Sequence, residues 1–441
     1  MKHILLLFIT LLTINLSAQH TISGTFSPAE DYTWLIAYRI KPGSQVYVAD
    51  TKIDKGKFTL NLPADALPGS YRLVYAVPQE EYNFDVLYNG KEDIVFNFNS
   101  DQGASFVTST ENIILTEHLY KLSLLEKEII GFYQKGSSNS SAFLKITEKM
   151  KNLQKEYEIK SEGLLAHSFI TSNQPYIPNK VESVEEYVLH KKENYFNTTD
   201  FKDATLISSS YLRDKVANYV FTALPLETLS KENTQKEIIK NAKKIAYYLN
   251  GTDANFRYDV YKNLWDYAVA YNYNSVSDFI FENTLKDLAT ETNNTEAKKE
   301  MEAYARLRLG VLAPELTWKN GSDLKKLSTL KDATNYVLIF WSSTCGHCLK
   351  ELPALHKELK NNAAIKIIAV GLEDDTVNWK LETKKLEGFE HAISLGKWDS
   401  EYADLYDIHS TPTYYILDKD KRIIAKPEDD KAVVEFLEKI Y

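Results

Sequence analysis

The 441-residue chain has two cysteines, and both lie in residues 340–353, FWSSTCGHCLKELP. Cys345 and Cys348 stand three positions apart, and that spacing restricts their chemistry. A disulfide stabilises by constraining the unfolded chain, and its effect grows with loop length. This loop is minimal, so a structural staple is a poor explanation. Structural zinc takes four ligands. Cys345, Cys348, His347 and His356 are the local candidates, there is no second CxxC, and His347 would have to turn back between its neighbours. No metal and no cofactor are expected. Reversible disulfide exchange fits better. The pair follows an apolar run and opens a helical pattern, which puts Cys345 at a helix N-terminus. Unpaired backbone N–H groups and the macrodipole stabilise a thiolate there. Cys348 falls about one turn further in, on the same face and deeper. The first thiolate attacks a disulfide, and the second thiol resolves the mixed disulfide.

The elements that must hold this pair begin near residue 310. NYVLIFW is a continuous apolar run, as in a strand buried on both faces. CGHCLKELPALHKELK reads as a helix, IKIIAVGLE as a second buried strand and TVNWKLETKKL as a helix. PTYYILDKD and KRIIAKP read as an antiparallel pair, and DKAVVEFLEKIY as a closing helix. The order β-α-β-α then β-β-α predicts an α/β layered fold over 306–441.

Two regions precede it. Residues 19–112 alternate in short runs between Gly, Pro, Asn and Asp turns, which predicts an antiparallel β-sandwich. Residues 113–305 repeat apolar positions at helical spacing, as at Leu119, Leu122, Leu125, Ile129 and Phe132. SSNSS at 137–141 reads as a flexible connector. Helices ending at Gly251 and Gly310 are expected, the second running past the end of this region. Its isolated histidines, His118, His167 and His190, are assigned no role. The whole is a multidomain α+β chain.

APEL (313–316), VLIFWSSTCGHCLKELP and STPTYYILD (410–418) resemble the thioredoxin superfamily, and more closely its exported TlpA/ResA-like branch. The likeness covers about 310–441. TKIDKGKFTLNLP and GSYRLVY are similar to a small β domain found before such modules in Bacteroidetes-type bacteria. The resemblance implies an exported thiol–disulfide oxidoreductase acting on protein thiols and disulfides. It assigns Cys345 as nucleophile, Cys348 as resolving thiol, and Pro412 after Thr411 as a cis-proline facing them. That loop would expose the Thr411 backbone for a substrate strand. Glu351, one helical turn past Cys348, would accept or relay the resolving thiol's proton. Trp341 is placed with Thr411 and Pro412 at the substrate side, packing on the active-site strand, and Pro353 would kink the helix.

Departures from the pattern matter. Thr344 stands where the family has Trp, and Ile339 where cytoplasmic thioredoxins carry a buried Asp. His347 makes the intervening dipeptide Gly-His, as in protein disulfide isomerase, and a cation there would favour the thiolate and a more oxidising pair. His409 is a weaker candidate. Peroxiredoxins share the fold but need PxxxTxxC, and Leu338 and Ser342 stand at those positions. A membrane electron donor is implied if the protein is a reductase. The other reading is a cell-envelope binding or assembly module with a secondary redox domain.

Residues 1–18 read as an export signal: Lys2, an apolar run over 4–16, then Ser17-Ala18. The run is too short to span a membrane. The mature chain is expected in the periplasm or cell envelope, with no later span. A net charge of −9 argues against nucleic acid as a partner.

Overall fold

The computed structural model describes residues 20–136 and 139–440. The export segment at 1–18 lies outside the described residues, as do 137 and 138. The chain divides into two compact units between Thr292 and Asn293.

Period-two burial builds the first unit's sheets. In KFTLN, Phe58 and Leu60 are buried while Lys57, Thr59 and Asn61 are exposed, so one face is apolar. The strands are β1 (Thr21–Ser27), β2 (Trp34–Lys41), β3 (Ser44–Lys52), β4 (Lys57–Asn61), β5 (Gly69–Val74), β6 (Asn83–Tyr88), β7 (Ile94–Asn99) and β8 (Gly103–Thr108). They form two four-stranded sheets, β4-β1-β7-β8 and β3-β2-β5-β6. Ile22, Phe26 and Phe96 of the first sheet share a core with Leu35, Tyr71 and Leu73 of the second, which makes a sandwich. The expected antiparallel sandwich is present, with one pair inside it, β1 and β7, running parallel, from Ile22↔Ile94 to Ser27↔Asn99. Alternation specifies a strand's faces but not its neighbour's direction.

Gly24 shows how tight this pairing is. It lies in the inward row between Ile22 and Phe26, at φ +152°, and a Cβ there would sit 1.7 Å from the Phe96 carbonyl oxygen. Gly24→Ala is expected to destabilise the sandwich by more than about 2 kcal/mol, measured as a lower guanidinium midpoint. An unchanged midpoint would refute the close approach.

The helices that follow are α1 (Thr110–Gln134), α2 (Ser140–Lys160), α3 (Ala166–Ser172), α4 (Val184–Glu193), α5 (Ala204–Ile207), α6 (Tyr211–Thr222), α7 (Lys231–Leu249), α8 (Ala254–Ala270), α9 (Asn274–Ile280) and α10 (Lys286–Glu291). Polar groups anchor them to the sandwich. The Asn112 side chain accepts from the Leu87 N–H at 2.8 Å and donates to its carbonyl at 2.7 Å. Asp85 of β6 takes Arg72 at 3.1 Å and also the Ser210 hydroxyl. SSNSS is not simply a connector. Asn139 caps α2, its side chain accepting from the Ala142 N–H at 3.1 Å, and the next serines begin the helix.

The second unit opens with α11 (Thr295–Leu307), whose Ala303 and Leu307 bury in this unit's own core, so the sequence boundary near 305 falls inside a helix. A short hairpin, β9 (Thr317–Asn320) and β10 (Asp323–Lys326), precedes β11 (Asn335–Trp341), α12 (Gly346–Leu359), β12 (Ile365–Glu373), α13 (Val377–Glu382), β13 (Glu390–Leu395), α14 (Glu401–Leu405), β14 (Thr413–Leu417), β15 (Ile423–Ala425) and α15 (Asp430–Ile440). The sheet order is β13-β12-β11-β14-β15, with β11 parallel to β12 and antiparallel to β14. This is a thioredoxin-like fold. EHAISL, beyond the strands expected from sequence, supplies β13 as a third parallel strand. All seven residues of β11 are buried. Val337, Ile339 and Trp341 face α12 and α15, while Leu338 and Phe340 face α11 and α14.

Candidate active site

The dithiol sits where β11 passes into α12. Cys345 is the N-cap of α12, and its Sγ accepts from the Cys348 N–H at 3.3 Å. Cys345 is half-buried and Cys348 is fully buried, and both are unpaired thiols. From the opposite side comes the loop before β14. Its Thr411–Pro412 peptide is cis, and the Thr411 carbonyl accepts from Cys345 Sγ at 3.3 Å. The strands therefore bring residues 345 and 411 into contact.

The two sulfurs differ in acidity. Burial opposes ionisation of Cys345. Hydrogen bonds from the Cys348 thiol, the Thr411 side chain and the Cys348 and His347 backbone N–H groups outweigh it and hold the thiol below its ordinary value of 9.0. The Thr411 carbonyl contact is open only to the protonated sulfur and works the other way. Burial pushes Cys348 up to about 12, and its hydrogen bond to Cys345 adds to the rise.

Two carboxylates flank the pair. Glu351 Oε2 accepts from the Tyr414 hydroxyl at 2.9 Å. Tyr414 lies on β14 opposite Ile339, and its phenol is held far above its ordinary value by burial and then by Glu351, with Cys348 also contributing. Glu373, at the end of β12, is 3% exposed and accepts from the Ser343 N–H, with the Ser342 hydroxyl at 3.4 Å. It clamps the turn that delivers Cys345. Neither Tyr414 nor Glu373 is marked by a sequence motif. Both belong to apolar strands, and only the sheet register brings Tyr414 near Cys348 and Glu373 against the turn before Cys345.

A cleft of about 230 Å³ opens on Cys345 and is lined also by Ser342, Thr344, Leu372, Trp398 and Thr411. Trp398 is 52% exposed. Its loop is held by the Gly396 N–H donating to the Glu373 carbonyl at 2.9 Å, and by Lys397 pairing with Asp374 at 2.6 Å.

The remaining candidates fall out differently. Trp341, placed at the substrate side from sequence, is 1% exposed and packs in the α12-side core, so it supports the site from beneath and cannot touch a substrate. The His347 side chain is exposed, and its backbone N–H is what reaches Cys345. His409 pairs with Asp407 at 3.0 Å on the surface. Pro353 lies within the continuous span of α12.

Residues 309–426 match the profile of the AhpC/TSA family. A domain from Cytophaga hutchinsonii, described as a possible thiol-disulfide isomerase, is 34% identical over 31% of this chain and 95% of its own, with a TM-score of 0.28. The C-terminal unit thus carries an AhpC/TSA-family domain with a thioredoxin-like fold. The AhpC/TSA unit is also similar to a thiol-disulfide oxidoreductase from Bacteroides fragilis, at 23% identity over 30% of this chain and 100% of that one, with a TM-score of 0.27. A thioredoxin-like protein from Bacteroides caccae matches over 60% of this chain and 98% of its own, at 20% identity and a TM-score of 0.34. No curated protein matches the chain. Among the described residues, no helix is long and apolar enough to cross a membrane.

Proposed function

We propose that the protein is an exported thiol–disulfide oxidoreductase that exchanges disulfides with protein substrates through Cys345 and Cys348. One observation carries the reading: a half-buried, acidified Cys345 rests on the cis-proline loop, with a buried, proton-holding Cys348 one helical turn behind it. In reduction, the Cys345 thiolate attacks a client disulfide. A new S–S bond forms, and the client's other sulfur leaves as a thiolate and takes a proton. Cys348, on losing its proton, attacks Cys345 Sγ. The client departs as a dithiol, and its two electrons have come from the Cys345–Cys348 pair. Oxidation runs the same steps backward.

Peroxide reduction is the other chemistry under the AhpC/TSA name. Leu338 is buried in β11, and Ser342 shares a hydrogen bond with Thr344, so the proline and threonine of that motif are missing. The apolar run at 4–16 supports export to the periplasm or cell envelope, where a reductase would draw on a membrane electron donor.

The deciding experiment is glutathione titration of the purified chain with thiol trapping. The Gly-His dipeptide favours a potential near about −180 mV, suited to oxidation or isomerisation, whereas a value below about −250 mV would make it a reductase. A folded chain whose cysteines never exchange with glutathione would sink the enzyme reading.

Trp398 stands in for the aromatic ring absent at Thr344. Trp398→Ala is expected to slow exchange with a cystine-containing peptide about 2- to 10-fold, since one aromatic contact is worth about 0.5–1.5 kcal/mol, while leaving exchange with glutathione unchanged. Equal losses with both substrates would show that the ring serves folding and not docking.

A further inference from the structure

The helical part of the first unit holds a cavity of about 440 Å³ that disulfide exchange does not use. Its volume falls in the range of small-molecule sites. Leu122, Val188 and Leu224 supply apolar wall, and Tyr176 and Tyr195 supply rings. Its charged lining is unbalanced: Lys191, Lys192 and Lys215 face one carboxylate, Glu126. Glu126 is already engaged, pairing with Lys191 at 3.1 Å. Among the described residues, no carboxylate pairs with Lys192 or Lys215.

Lys215 is the better defined of the two. Its Nζ donates to the Ser172 carbonyl at 2.9 Å and lies 4.8 Å from the centre of the Tyr195 ring and 5.7 Å from that of Tyr211. One carbonyl and two ring faces orient the ammonium without neutralising it. A desolvated charge lacking a counter-ion is costly. Burial accordingly lowers both lysines, Lys215 to about 8. An arriving anion would supply the missing counter-charge, and the rings would cover its body.

We propose that this cavity binds a small organic anion with an aromatic or apolar body, its charged group held between Lys215 and Lys192 and its body against Tyr195 and Tyr176. The cavity lies in the first unit and the dithiol in the second.

Pyridoxal 5′-phosphate is a suitable probe. It joins an anionic group to an aromatic ring, and its aldehyde condenses with an amine, releasing water, to an imine that borohydride reduces. The full chain is treated with it, or with pyridoxal, at pH 7.5, then reduced and peptide-mapped. The expected label falls on one of Lys215 and Lys192 while the other holds the phosphate, at probe concentrations at least 10-fold below those that modify surface lysines. Pyridoxal, lacking the phosphate, is expected to label the same residue at least 10-fold less. In Glu126→Gln, which removes the opposing carboxylate, labelling should strengthen several-fold. Label spread over surface lysines, or equal labelling by the two probes, would overturn the proposal. Both decisive comparisons use the unaltered protein, so neither depends on a variant folding.

Discussion

Iodoacetamide at pH 7 is expected to alkylate Cys345 at least roughly 1,000-fold faster than Cys348 in the reduced, folded protein. The thiolate is the reacting species, so the rate follows its population. A thiol at the ordinary 9.0 is about 1% ionised at pH 7, and Cys345 lies below that value, hence above that population. Cys348, near 12, is ionised to about one part in 100,000. Full burial of Cys348 widens the gap further. Timed quenching and peptide mapping from pH 6 to 9 would read both rates. Cys345 should label with a midpoint below the ordinary thiol range. Denaturant should bring the two rates together, because the difference arises from the fold. Comparable rates in the folded protein would mean that the order of attack proposed here is wrong.

Glu351→Gln is expected to slow resolution of the mixed disulfide roughly 100-fold, within the range of a lost general base, while leaving alkylation of Cys345 within about 2-fold. Cys348 must shed a proton before it attacks, yet it is fully buried. Ile339 supplies no carboxylate from β11, and it packs in the core with Cys348. The nearby polar chain runs from Tyr414, whose phenol senses the charge of Cys348, to Glu351 at 2.9 Å. Tyr414→Phe should therefore slow the same step and spare the same control. Quenched-flow trapping of the glutathione adduct separates the two half-reactions. If both steps slow together, the pair shapes the site without moving the proton.

Much of this site was legible because its parts are local. CxxC spacing, the apolar run ahead of it and the PTYY segment identify the dithiol and its proline loop from short stretches of chain. The misses share one physical cause, which is that they depend on register between distant segments. Tyr414 read as an ordinary strand residue, and it becomes part of the site because β14 lies antiparallel to β11 and sets it opposite Ile339. Glu373 ended an apolar strand and gave no sign that Ser343 would donate to it. Trp341 misled in the opposite sense, since an aromatic beside an active site suggests contact and only burial reveals a supporting role. Trp398 lay in the unassigned stretch around β13 and so attracted no role.

The parallel pairing of β1 with β7 also bears on how the sandwich can assemble. Thr25 and Asn97, joined across it, are 72 residues apart. Closing a loop of that length costs about 4 kcal/mol of chain entropy. β4, β1's other neighbour, arrives earlier and pairs with it antiparallel. A chain emerging from its N-terminus can build that pair first. It must then keep one edge of β1 open until residue 99 is available, with Ile22 and Phe26 not yet covered. Folding of the sandwich is thus a late, non-local event, and the open edge of β1 is where a premature or foreign strand would add.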